Sequence, residues 1–142
     1  MKLTAFDLLP DSKLLMRSVI GRVSAGQPVE LVGEEELIDL NYMVSKGSAS
    51  TRLILVEGNS MCPEIQDGDF VVIACDRQPQ TNDIVIARVD GGLTVKRFKL
   101  NLGHRRGLYL VPANNDYKPR EVISADNLEV LGVVTHVIHK TA

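Results

Sequence analysis

Two residues of this chain, Ser60 and Lys96, have the side chains and the neighbours that nucleophilic chemistry needs. Ser60 lies in "VEGNSMCPEIQDGDFVVI", residues 56–73, a polar, turn-rich knot between two apolar runs. A connection that only reversed the chain could be shorter. Gly58 lets a backbone approach closely. Met61, Cys62 and Pro63 begin a tight turn whose backbone N–H groups could face a developing oxyanion. Gly58 and Met61 are therefore the expected frame of a nucleophile turn.

Lys96 lies in "GGLTVKRFKLN". Strand alternation puts Thr94, Lys96, Phe98 and Leu100 on one face, the better candidate for the core. Lysines are seldom buried without a reason. Desolvation disfavours an ammonium and lowers its pKa, and a neutral amine can take the proton of a serine hydroxyl. That is the Ser-Lys form of nucleophilic catalysis. Each residue also has a plainer reading: a lysine snorkelling at a sheet edge, and a serine filling a turn. Cys62 is a rival nucleophile, but no histidine lies near it in sequence.

The elements that would position this pair are mostly strands. From Leu53 onward, "RLILVE", "DFVVIAC", "DIVIARV", "LTVKRFKL", "LYLV" and "LEVLGVVTHVIHK" are rich in Val, Ile and Leu. Turn signals separate them at Asp67-Gly68, Gln78-Pro79, Asp90-Gly91-Gly92, Asn101 to Gly103 and Asn114 to Pro119. Such spacing, without intervening helices, predicts a mainly β domain over 51–142, a partly closed sandwich or barrel. Residues 1–50 are mixed. "DSKLLMRSV" and "DLNYMVSKG" are short helix-like pieces, capped by Asp11 or Ser12 and by Asp39, with Gly47 stopping the second. Between them "GRVSAGQPVELVGEEE" reads as an extended, accessible arm.

Composition narrows the function classes. A chain of 142 residues, 44% apolar and 24% charged, suits one globular domain with an appendage. The formal charge of −2 gives no general attraction to nucleic acid or anionic lipid. "HRRG", 104–107, is a solvated hairpin tip, since no aromatic residue interleaves it. Direct sequence-specific DNA binding is not expected. Cys62 and Cys75 have neither metal nor disulfide spacing, His136 and His139 make no metal pair, and no cofactor is expected. Charges interrupt the N-terminal segment, which lacks the apolar core of a signal peptide, and no run is long enough to span a membrane. A cytoplasmic location is expected.

"GNSMCPEIQDGDFVVI" followed by "DIVIARVDGGLTVKRF" resembles the LexA-type Ser-Lys self-cleaving proteins, whose pattern is Gly-x-Ser-Met-x-Pro, Asp-Gly-Asp and then a strand lysine. The similarity runs from about Gly21 to the C-terminus and includes "LVPANNDYKP". Asn59 departs from the aspartate often found before the serine. The resemblance implies a LexA-like peptidase domain with Ser60 as nucleophile and Lys96 as general base. It also implies a small residue before glycine as the scissile bond, which "GRVSAGQPVE" offers at Ala25-Gly26. Residues 1–25 would then be an arm removed by self-cleavage, and 26–50 a linker with a short helix.

A repressor of this family carries a helix-turn-helix domain, on the order of 60 residues, ahead of the arm. About 25 residues precede the candidate bond here. The expectation is therefore the short-armed UmuD-type branch, which acts in SOS mutagenesis. That resemblance implies a homodimer, stimulation of cleavage by a RecA–single-stranded DNA filament, and a UmuC-type polymerase as partner in translesion synthesis. A non-catalytic regulator or antirepressor, using the same β domain only to dimerise, is the alternative. A signal peptidase would share the chemistry but needs a membrane anchor.

Gly26→Asp should stop production of a fragment beginning at residue 26, read by mass spectrometry. The melting temperature should stay unchanged, because the added bulk and charge fall at the bond and not in the core.

Overall fold

The computed structural model describes residues 2–7, 15–19, 35–46, 48, 50–124 and 126–141, with side chains from residue 39 onward. The described elements are β1 (Lys2–Asp7), β2 (Leu15–Val19), β3 (Glu35–Asp39), α1 (Leu40–Ser45), β4 (Thr51–Glu57) and β5 (Phe70–Ala74). They continue with β6 (Ile84–Val89), β7 (Gly92–Leu102), β8 (Arg105–Val111), β9 (Arg120–Val122) and β10 (Leu128–Ile138). One compact unit takes β1 together with everything from β4 onward, and a second takes β2, β3 and α1.

The larger unit is an eight-stranded antiparallel sheet in the order β1-β4-β5-β10-β6-β7-β8-β9. The fold is mainly β, as the strand pattern predicts. The last strand, β10, lies between β5 and β6, so the end of the chain fills the middle of the sheet. Antiparallel neighbours need only short links, and Asp90-Gly91 supplies one. Both residues have positive φ, 50° and 86°, which suits the right-handed twist of the flanking β6 and β7.

Apolar packing covers both faces of the sheet. Ile84 and Ile86 of β6 join the cluster of Ile54, Val56, Met61 and Val71. The alternate residues Val85, Ala87 and Val89 join Phe98, Leu110 and Val133. A strand buried on two sides reads as a continuous apolar run, which is why "IVIA" shows no alternation. In β7 both faces are used, with Val95 and Phe98 each buried. Leu100, expected in the core beside Phe98, is 54% exposed. It pairs with Leu108 near the hairpin tip, next to an irregularity in the β7–β8 register.

The second unit corrects one expectation. "DSKLLMRSV" was expected to be helical, but Leu15–Val19 forms β2, paired antiparallel with β3. A piece this short gains little as a lone helix, whereas a partner strand satisfies its backbone. Asp11 and Ser12 lie outside the described residues, as do most of the expected arm and Ala25 and Gly26. Helix α1 starts where expected. The Asp39 carboxylate accepts from the N–H groups of Asn41 and Tyr42 at 3.0 and 3.3 Å. Lys46, at φ 51°, ends the helix, and Gly47 lies outside the described residues. Strand β9 had no signal of its own, being three residues long.

Gly132 sets a sharp packing limit. A Cβ there would meet Ile73 Cδ1 at 2.9 Å and the Ala74 carbonyl oxygen at 3.1 Å. Gly132→Ala should lower unfolding free energy by about 1–3 kcal/mol, the usual cost of overpacking. A reduced denaturant midpoint with unchanged slope is the expected result.

Candidate active site

Strand β4 delivers the chain to Gly58, whose φ of 115° suits glycine and few other residues. The Gly58 N–H donates to Asp67 Oδ1 at 2.7 Å. Beside it, the Gly68 N–H donates to the Val56 carbonyl and the Val56 N–H to the Asp69 carbonyl, both at 2.8 Å. Asp67-Gly68-Asp69 thus laces the far end of the loop back onto β4. Gly58 therefore shapes the turn through its conformation, while its N–H is held by Asp67. Within the loop, Met61 and Ile65 are fully buried and act as plugs in the core. The Cys62–Pro63 peptide is cis.

Two other segments brace the loop. After β8, the Asn114 N–H donates to the Ser60 carbonyl and Asn114 Nδ2 to the Asn59 carbonyl, each at 3.0 Å. Glu64 in the turn forms an ion pair with Arg97 of β7. The polar knot is therefore a loop tied at its base, plugged from within and braced from outside. That construction accounts for its length.

Ser60 and Lys96, 36 residues apart in sequence, meet in this structure. Lys96 Nζ lies 3.0 Å from Ser60 Oγ, 2.8 Å from Thr94 Oγ1 and 3.1 Å from the Val95 carbonyl oxygen. As an ammonium, Lys96 donates all three of these hydrogen bonds. Ser60 is only 4% exposed, and Lys96 is half-buried. Burial pushes the Lys96 pKa below the ordinary lysine value, because losing water disfavours the ammonium. The same neighbours suit the neutral amine. Two N–H bonds can go to Thr94 and Val95, and the lone pair then faces the serine hydroxyl.

A cleft of about 160 Å³ opens onto the pair, lined by Gly58, Ser60, Leu93, Thr94, Lys96 and Tyr117 among others. Leu93 and Tyr117 are partly exposed apolar side chains at its walls, at 38% and 47%. Cys62 does not line this cleft, and its Sγ lies 3.7 Å from Asn59 Oδ1. Among the described residues no cluster of His, Cys, Asp and Glu could hold a metal. His136 Nδ1 meets Thr135 Oγ1, whereas His139 Nδ1 meets Asp69. Among the described residues no helix is long and apolar enough to cross a membrane.

Residues 18–135 match the family described as Peptidase S24-like, which covers most of the chain. The chain belongs to the Peptidase S24-like family. These are LexA-like self-cleaving serine peptidases. Protein ImpA of Salmonella typhimurium is 38% identical over 123 residues, 84% of this chain and 81% of ImpA. The LexA repressor of Stenotrophomonas maltophilia is 36% identical over 127 residues, 88% of this chain and 58% of the repressor. The LexA repressor of Xylella fastidiosa is 35% identical over the same span. The chain thus spans little more than half the length of the LexA repressors it matches.

Three residues beside the Ser60–Lys96 pair have little or no local sequence signal of such a position. Thr94 shares the strand face of Lys96, so the i, i+2 period could have flagged it. Asn114 sits in "PANN", and only the folded chain brings it to Asn59. Tyr117 looked like one more loop residue.

Asp67→Ala should cost about 1 kcal/mol of stability, because it releases the Gly58 N–H at an exposed site. Asp67→Asn keeps an acceptor and should cost less, as measured by chemical denaturation.

Proposed function

We propose that this protein is a serine endopeptidase that cuts its own chain between Ala25 and Gly26, with Ser60 as nucleophile and Lys96 as general base. The observation that carries this reading is the 3.0 Å contact between the half-buried amine and the serine hydroxyl. The neutral amine of Lys96 takes the Ser60 proton as Oγ attacks the Ala25 carbonyl carbon. The Met61 N–H is the proposed donor to the oxyanion, in a turn whose shape Gly58 sets. Collapse of the tetrahedral adduct breaks the bond to Gly26, and the Lys96 ammonium gives its proton to the leaving amine. Water, activated by the same amine, then hydrolyses the ester at Ser60. A substrate tethered to the enzyme offsets the modest strength of the base, because the encounter is intramolecular.

Leu93 and Tyr117 narrow the cleft beside the pair, which suits a bond flanked by small residues. Ala25 and Gly26 are such residues.

Similarity to ImpA across most of both chains favours the UmuD-type role over a repressor's. In that reading the trimmed chain is a homodimer in the cytoplasm. It serves a UmuC-type polymerase in error-prone translesion synthesis during the SOS response. A RecA–single-stranded DNA filament stimulates the cut. A second reading, a non-catalytic regulator, draws on the likeness to LexA repressors, and the same experiment separates the two.

Lys96 becomes a base only when neutral, so raising the pH through its lowered pKa should raise the cleavage rate. That rise should come at lower pH than an ordinary lysine would give. Purified chain held at alkaline pH should yield a fragment starting at Gly26, detected by intact mass. Ser60→Ala and Lys96→Ala should each slow its appearance at least about 100-fold. No fragment from the wild type, even with RecA filament present, would leave the regulator reading standing.

A further inference from the structure

The described residues include one buried carboxylate that the proposed chemistry does not use. Asp69 closes the base of the loop that carries Ser60, and its side chain is 4% exposed. Its Oδ2 accepts from the Gln66 N–H at 2.8 Å, inside the same loop. Its Oδ1 meets His139 Nδ1 at 2.6 Å. A carboxylate is only an acceptor, so Nδ1 carries the hydrogen and donates it. His139 follows β10 directly, and β10 pairs with β5, which Asp69 leads into. The imidazole therefore caps the one oxygen of Asp69 that the loop itself leaves open.

We propose that His139 is a positioning residue for the Ser60–Lys96 pair, acting through Asp69 on the loop. The inference rests on the peptidase reading and deepens it. The physical reason is the cost of an uncapped buried acceptor. Without the imidazole, Asp69 must admit water or turn toward it, and either movement loosens its bond to Gln66. The loop that Asp69 closes also fixes Ser60 Oγ against Lys96, and such contacts lose rate quickly when displaced. His139 does not touch the reacting atoms. Its effect should appear as geometry, in the cleavage rate and in the accessibility of the loop.

Cys62 is a built-in reporter of that accessibility, being a partly buried free thiol two residues beyond Ser60. The test compares the full-length wild type with His139→Ala and His139→Asn. Asparagine Nδ2 can occupy the place of the histidine Nδ1 and donate the same bond. Two rates are measured: appearance of the fragment beginning at Gly26, and iodoacetamide labelling of Cys62 followed on its own peptide by mass spectrometry. The alanine chain should cleave about tenfold more slowly or worse and label Cys62 faster, and asparagine should restore both.

Wild-type cleavage and labelling in the alanine chain overturns the proposal, and so does an asparagine chain as slow as the alanine one. If the wild type never cleaves, the peptidase reading fails, and Cys62 labelling alone decides the link from His139 to the loop. Faster labelling in the alanine chain keeps that link, and unchanged labelling removes it. If the alanine chain does not fold, equal rates in the wild type and the asparagine chain keep the proposal, while a slower asparagine chain overturns it.

Discussion

An amine partly withdrawn from water beside an alcohol is the interaction on which this structure turns. In bulk water a lysine side chain stays ionised at neutral pH and offers no lone pair. Here burial lowers its pKa, and Thr94, Val95 and Ser60 surround the nitrogen with partners. Thr94 and Val95 are local to the lysine, whereas Ser60 comes from 36 residues away. The partial desolvation of the amine and the approach of Ser60 both need the loop from between β4 and β5 to lie against β7.

The loop explains why so many short-range bonds collect around residues 56–69. A long side chain such as lysine can adapt its reach, but a serine hydroxyl moves only as far as its backbone does. Asp67, Gly68 and Asp69 fix one end of the loop to β4, and Asn114 fixes the backbone at Asn59 and Ser60. Met61 and Ile65 add apolar anchorage from below. Polar bonds supply direction, and the buried methionine and isoleucine supply apolar contact. This loop lies within the stretch, residues 18–135, that matches the Peptidase S24-like family.

Legibility in the sequence followed the physics of each element. The strands from β4 to β8 and β10 could be read because Val, Ile and Leu recur along them between clear turn signals. A lysine on an apolar strand face singled out Lys96, but its pairing with Ser60 could be read only through the resemblance to the LexA-type pattern, since either residue alone has a plainer reading. Leu100 was misjudged because alternation tells which face a residue shares, but not where covering strands end. The expected helix over Leu15–Val19 fails because a five-residue piece has no period long enough to separate helix from strand, and its partner β3 lies some twenty residues on. Asn114 and His139 act through contacts made across the fold, which no local pattern records.

The state of a single nitrogen decides the matter most directly. An NMR titration of lysine side-chain nitrogens in the folded wild-type chain, with Lys96→Met used to assign the signal, reports it without any cleavage step. Lys96 should lose its proton at a lower pH than an ordinary lysine, because burial beside Ser60 disfavours its ammonium. A signal that titrates together with the surface lysines would contradict the central claim and leave Ser60 without its base.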